Sequence, residues 1–256
     1  MEQRNVGVKR SWVWVSGSVC AVLLWRAAAY VWPGSFVTIP DGLHLPHALL
    51  GVSFLLAGVW AWSMRPNQWT DIFLLYGLSL GIHWGGAVGV ANASLEMSLF
   101  WVYLTFTALG DAALLHLALI YPHGKPLASK WRVALYAPAV AALILAPVAA
   151  FIPHSVIKPA IGLVLLIANL LSLSAGVLFL VRLFTVDGAT RRAARLPTIV
   201  AGMFSGSIIA LLGAAKVLPG VPEAWNLALV LVPITLAIAL VHHSLEQPRP
   251  LASGTP

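Results

Sequence analysis

Eight apolar runs follow one another along the chain, at residues 12–32, 46–64, 71–91, 97–121, 132–152, 159–182, 197–217 and 225–243. Each is long enough to cross the ~30 Å hydrocarbon layer of a bilayer, which takes about 20 helical residues. Pro138, Pro147 and Pro233 fall inside runs, where membrane helices accept proline as a kink when neighbours satisfy the freed carbonyls. The pattern predicts an all-α protein: a polytopic membrane helix bundle of about eight transmembrane helices.

The basic residues give the bundle a direction. With the N-terminus inside, the inner segments hold Arg4, Lys9, Arg10, Arg65, Lys125, Lys130, Arg132, Arg182, Arg191, Arg192, Arg195 and Arg249, and the outer loops only Lys158 and Lys216. By the positive-inside rule this bias puts both termini in the cytoplasm. It also explains the +7 net charge without nucleic acid, because the cations sit between apolar runs and not along one face. Composition agrees: 60% hydrophobic and 9% charged residues, against about 25% charged in soluble domains, leave lipid as the solvent for most of the chain. The expected location is the bacterial inner (plasma) membrane. The basic start MEQRNVGVKR and the small Ala27-Ala28-Ala29 resemble a leader, yet Arg26 just before them and the resumption of YVW argue that the first span is retained. Residues 1–245 form one helical membrane domain, and the Pro-rich tail 246–256 is expected to be a flexible cytoplasmic segment.

Ionisable groups at bilayer depth cost about 2.5–3.5 kcal/mol each on insertion scales and therefore face partners or water. Depths estimated from the ~1.5 Å rise per residue put Arg26, His83, Asp111, Asn169 and Ser205, with Ser207 beside it, in one polar layer in the middle-to-outer half of the membrane. Arg26 is the natural partner of Asp111, since its guanidinium fork suits a carboxylate, and His83 is the competitor. His116 follows Asp111 by five residues, roughly 140° away around the helix, and should look at a different neighbour. Such a contact reads equally as glue that fixes helix order and as a ligand or proton site.

Other polar residues carry less. His44 and His47 have metal-like spacing but no third ligand, and Cys20 is the single cysteine, so neither a metal nor another cofactor is expected. His242 and His243 read as interfacial residues ending the last span. Gly77, Gly81, Gly85 and Gly89, like Gly202 and Gly206, have the four-residue spacing that lets helices approach closely. The stretch GMFSGSIIALLGA (202–214) approaches the serine motif of rhomboid proteases, but its spacing is off by one residue and no mid-span histidine follows to serve as base. With no other catalytic constellation, the chain does not read as an enzyme.

The stretch HLALIYPHGKPLASKWRVALYAP (116–138) resembles a pattern in the N-terminal multi-pass sensor region of bacterial sensor histidine kinases: a His-Leu-x-Leu-x-Phe-Pro-like run, a basic loop, then Tyr-x-Pro opening the next helix. Tyr121 stands where that family usually has Phe. ATRRAARLPTIVAG (189–202) is similar to its Arg-rich loop, and LVPITLAIALVHHSL (231–245) to its last span, so the likeness covers about 46–245. Within residues 1–256 no coiled coil, phosphoacceptor histidine or ATP-binding domain is expected. The resemblance implies a membrane sensor module without its kinase, taking a small or lipophilic signal and relaying it to a cytoplasmic partner or a second copy. Arg182, Arg191, Arg192 and Arg195 are expected against the anionic inner leaflet, at about 1 kcal/mol per basic residue. A small-molecule transporter or channel, or a structural subunit of a membrane complex, are the competing classes.

Overall fold

The computed structural model of the chain describes residues 37–38, 44–86, 89–90, 93–149, 151–152, 154–220 and 222–246. The first apolar run, with Cys20 and Arg26, and the tail beyond 246 lie outside the described residues. Those described are helical, apart from an antiparallel pairing of β1 (Val37–Thr38) with β2 (Gly89–Val90). The helices are α1 (His44–Met64), α2 (Gln68–Gly86), α3 (Ala93–Ile120), α4 (Ser129–Ala149), α5 (His154–Thr185), the short α6 (Gly188–Ala193), α7 (Leu196–Ala214) and α8 (Leu231–Glu246), with a 3-10 helix, Pro222–Val230, leading into α8.

Six of the described helical segments are long and apolar enough to cross a membrane, the last combining the 3-10 turn with α8. The run expected at 71–91 is helical as α2, but Asp71 and His83 dilute its apolar character and it ends at Gly86, before β2. The outward faces carry Leu56, Val133, Ile144, Leu163, Leu173, Phe184 and Leu211, all more than half exposed. An apolar surface on this scale marks a membrane environment, and the chain is a multi-pass membrane protein.

Local chemistry explains where helices stop. Asn67 begins α2 by accepting from the Trp69 and Thr70 amides at 2.9 and 3.1 Å, while its own amide donates to Thr70 Oγ1 at 2.9 Å. This reciprocal arrangement satisfies amides that the first helical turn leaves unpaired. Pro122 ends α3, since proline disfavours helix in the residue before it. Arg182 of α5 donates to the Leu119 carbonyl at 2.7 Å, closing an open end of α3.

Asp187 caps α6 by accepting from the Ala189 and Thr190 amides at 3.0 Å each. Hydrogen bonding by the Thr190 side chain, then by its amide, holds the carboxyl below its ordinary value of 3.8. A depressed folded value means that the cap stabilises fully above that ordinary value and loses its effect as the pH falls through the folded one. Asp187→Ala should therefore lower the thermal midpoint slightly at pH 7, and the gap to wild type should close in strong acid. An equal gap at both pH values would mean the carboxylate is not what caps the helix.

The helices α1, α2, α3, α5, α7 and α8 pack in a closed ring, and α4 lies against α3 and α5 from outside. The apolar segment of α3 is 67% buried, the highest share of the six, against 22% for each of α4 and α5. The α1–α2 seam is built on glycine. A Cβ placed on Gly51 would stand 2.4 Å from the Gly85 nitrogen, and one on Gly77 would stand 2.6 Å from the Phe54 carbonyl oxygen. Of the expected glycine ladder, Gly77, Gly81 and Gly85 thus face α1, while Gly89 lies in β2.

Candidate functional site: a half-buried carboxylate between three helices

Asp111 sits about two and a half turns before the end of α3, the rod that touches α2, α4 and α5. The Ser172 side chain of α5 lies beside its carboxyl. On the other side Tyr76 of α2, 2% exposed and edge-on to Phe54 at 5.4 Å, lies close enough to feel its charge. Among the described residues no cation forms an ion pair with Asp111; the one ion pair there joins His242 to Glu246 at 3.1 Å.

His83 does not reach the carboxylate. Its Nδ1 lies 2.9 Å from Thr107 Oγ1, and that hydroxyl donates to the Tyr103 carbonyl at 3.1 Å. A hydroxyl has one proton, so the arrangement that satisfies both contacts has His83 Nδ1–H donating to Thr107. Thr107 and Asp111 are four residues apart, hence on one side of α3. The layer therefore runs from His83 through Thr107 to Asp111 and on to Ser172.

The other expected members lie elsewhere. Asn169 is exposed, and its amide donates to the Leu165 carbonyl one turn back at 2.7 Å. Ser205 does the same on α7, donating to the Ala201 carbonyl at 2.6 Å, and Ser207 is exposed. Both side chains satisfy themselves on their own helix, which is how a small polar group survives facing lipid. His116 meets α4, its Nδ1 being 3.0 Å from the Tyr136 hydroxyl, while its Nε2 is buried without a partner among the described residues. Arg26 falls outside the described residues. His44 opens α1 instead of lying in a loop, and His47 lies over Trp84 with ring centroids 5.0 Å apart. No cluster of three metal-ligating side chains occurs among the described residues.

Thr107, Ser172 and Tyr76 were not foreseen. The four-residue spacing of Thr107 and Asp111 was a usable signal. Nothing local distinguishes Ser172 from the other serines of α5.

A second cluster gathers where the α2 start, the α3 end, the α6–α7 turn and α8 converge. Tyr121, fully buried, donates to the Ala194 carbonyl at 2.8 Å. Its ring is edge-on to Trp69 at 5.6 Å and to His243 at 5.3 Å. His243, in the last turn of α8, is thus a buried hub residue. Asn67 donates to Ser244 at 2.8 Å, and Arg195 pairs with His242, so the α8 end is tied to two connections at once. Of the four arginines expected at the leaflet, Arg182, Arg191 and Arg195 bond protein groups, and Arg192 is exposed.

What the layer can do follows from its chemistry. A half-buried carboxylate with no ion-pair partner among the described residues gains from any cationic or donating group that reaches it. Ten residues further along the same helix, Tyr121 anchors α3 to the hub. The chain matches no family model, no curated protein and no solved structure.

Proposed function

We propose that the chain is a membrane sensor-like module: a small or lipophilic signal bearing a cationic or hydrogen-bonding group settles beside Asp111, and the resulting shift of α3 is relayed to the hub and to a cytoplasmic or membrane partner. The observation that carries this reading is Asp111, half-buried beside Ser172 on the rod that leads, about 15 Å further on, to Tyr121. A signal shifts the bundle only as far as it binds one arrangement better than the other, and a carboxylate with no ion-pair partner among the described residues offers that difference. The excess of basic residues on one side supports eight spans with both ends in the cytoplasm, in a bacterial inner membrane. The test is a thermal-shift screen of lipophilic amines and amides on wild type and Asp111→Asn in neutral detergent. A compound class should raise the wild-type midpoint by several degrees and leave the variant unmoved. Failure of every class to separate the two would end the proposal. The same carboxylate would serve a proton- or cation-coupled transporter, and liposome flux abolished by Asp111→Asn would favour that reading.

A further inference from the structure

Away from the polar layer, the end of α3 and the start of α4 enclose an outward-facing groove of about 490 Å³, lined by Leu115, Leu119, Leu127, Trp131, Ala134 and Leu135. Its walls are wholly apolar, and its volume is within the ~300–1,000 Å³ of small-ligand sites. Two cations contact lining residues and a third is next to one in sequence. The Lys130 ammonium lies 5.6 Å from the centre of the Trp131 ring. Arg132 is within electrostatic range of His116, the neighbour of Leu115. Arg182 bonds the Leu119 carbonyl, and its Nη1 is buried with no hydrogen-bond partner among the described residues. Between Asp111 and Asp187 the sequence holds no acidic residue, so nothing near in the chain offsets this charge.

We propose that this groove binds one acyl chain of an anionic phospholipid, with the headgroup phosphate held at its mouth by Lys130 and Arg132. The physical requirements of such a ligand are met at one place. An apolar slot opens toward the bilayer, a tryptophan 60% exposed stands at the helix end where aromatic residues mark the membrane–water interface, and cations stand at headgroup level. Arg182 adds positive field from behind Leu119. A zwitterionic lipid would fill the slot equally well, and the charge is what selects the anionic one. The inference needs only that the bundle sits in a membrane, so it stands apart from the role given to Asp111.

The test uses the full chain in neutral detergent, titrated separately with phosphatidylglycerol and phosphatidylcholine, reading thermal midpoint and bound lipid by native mass spectrometry. Wild type should retain phosphatidylglycerol in preference to phosphatidylcholine. Lys130, Arg132 and Ala134 are exposed, so changing them should leave the fold intact. The double variant Lys130→Gln, Arg132→Gln should lose that preference by roughly tenfold or more while binding phosphatidylcholine as before. Ala134→Phe, which fills the slot, should lose both lipids. Equal retention of the two lipids by wild type, an undiminished preference in the double variant, or wild-type binding by Ala134→Phe would each overturn the site. So would a lipid-free dimer that Ala134→Phe abolishes, because a second copy would then be the occupant.

Discussion

Gly51→Leu is expected to disrupt the seam between α1 and α2. The first added carbon would stand 2.4 Å from the Gly85 nitrogen, 2.6 Å from its Cα and 2.9 Å from the Gly81 carbonyl oxygen. All three are backbone atoms, so no side chain can swing aside, and the helices must separate along their length. Overpacking of a dense core costs typically 1–3 kcal/mol and occasionally more. With a backbone wall the cost should reach about 3 kcal/mol, which lowers a thermal midpoint by roughly 10 °C at this chain length. Gly162→Leu is the control, because nothing lies within 4 Å of a Cβ there, and it should leave the midpoint unchanged. Equal behaviour of the two variants in a detergent melt would show that α1 and α2 do not meet along their glycines.

The second large effect belongs to Tyr121. Tyr121→Ala removes a fully buried ring that touches Trp69, Phe179 and His243, and aromatic-to-alanine changes in cores cost about 3–5 kcal/mol. Tyr121→Phe keeps the ring and deletes only the hydroxyl, leaving the buried Ala194 carbonyl without the 2.8 Å bond it accepts. An unsatisfied buried acceptor costs about 1–3 kcal/mol. The order wild type, Phe, Ala should appear in thermal midpoints. Tryptic cleavage at Arg191, Arg192 and Arg195 should rise in the same order, because the hydroxyl ties the α6–α7 turn to the end of α3. Loss of stability without a rise in that cleavage would mean the hub does not hold the turn.

Helix positions were legible because they depend on near neighbours in the chain. The apolar run 46–64 became α1 to within two residues, and the proline after Tyr121 stopped α3 where expected. The runs at 71–91 and 225–243 were read less well. The glycines and β2 cut the first short, and the second opens as a 3-10 turn.

The polar layer was half legible. Position along each helix can be read from the sequence, but rotation about the helix axis cannot. Asn169 and Ser205 are exposed and face away from the bundle, while His83 found Thr107 instead of the carboxylate. In a soluble protein an amphipathic stripe would have fixed these rotations, since water rewards one face and the core the other. Here lipid and protein interior are equally apolar, so hydrophobic pattern carries little directional information and close packing and hydrogen bonds decide.

The sequence by itself therefore determined that this chain is a set of apolar helices, where most of them begin and end, and that a lone carboxylate is carried into the middle of the longest-buried one. The tertiary structure alone decided that Asp111 meets Ser172, that the glycines of α2 press on α1, and that Tyr121 closes on Ala194 from 73 residues away. Such contacts join residues far apart in the chain through the azimuth of whole helices, and only packing one rod against another sets that angle.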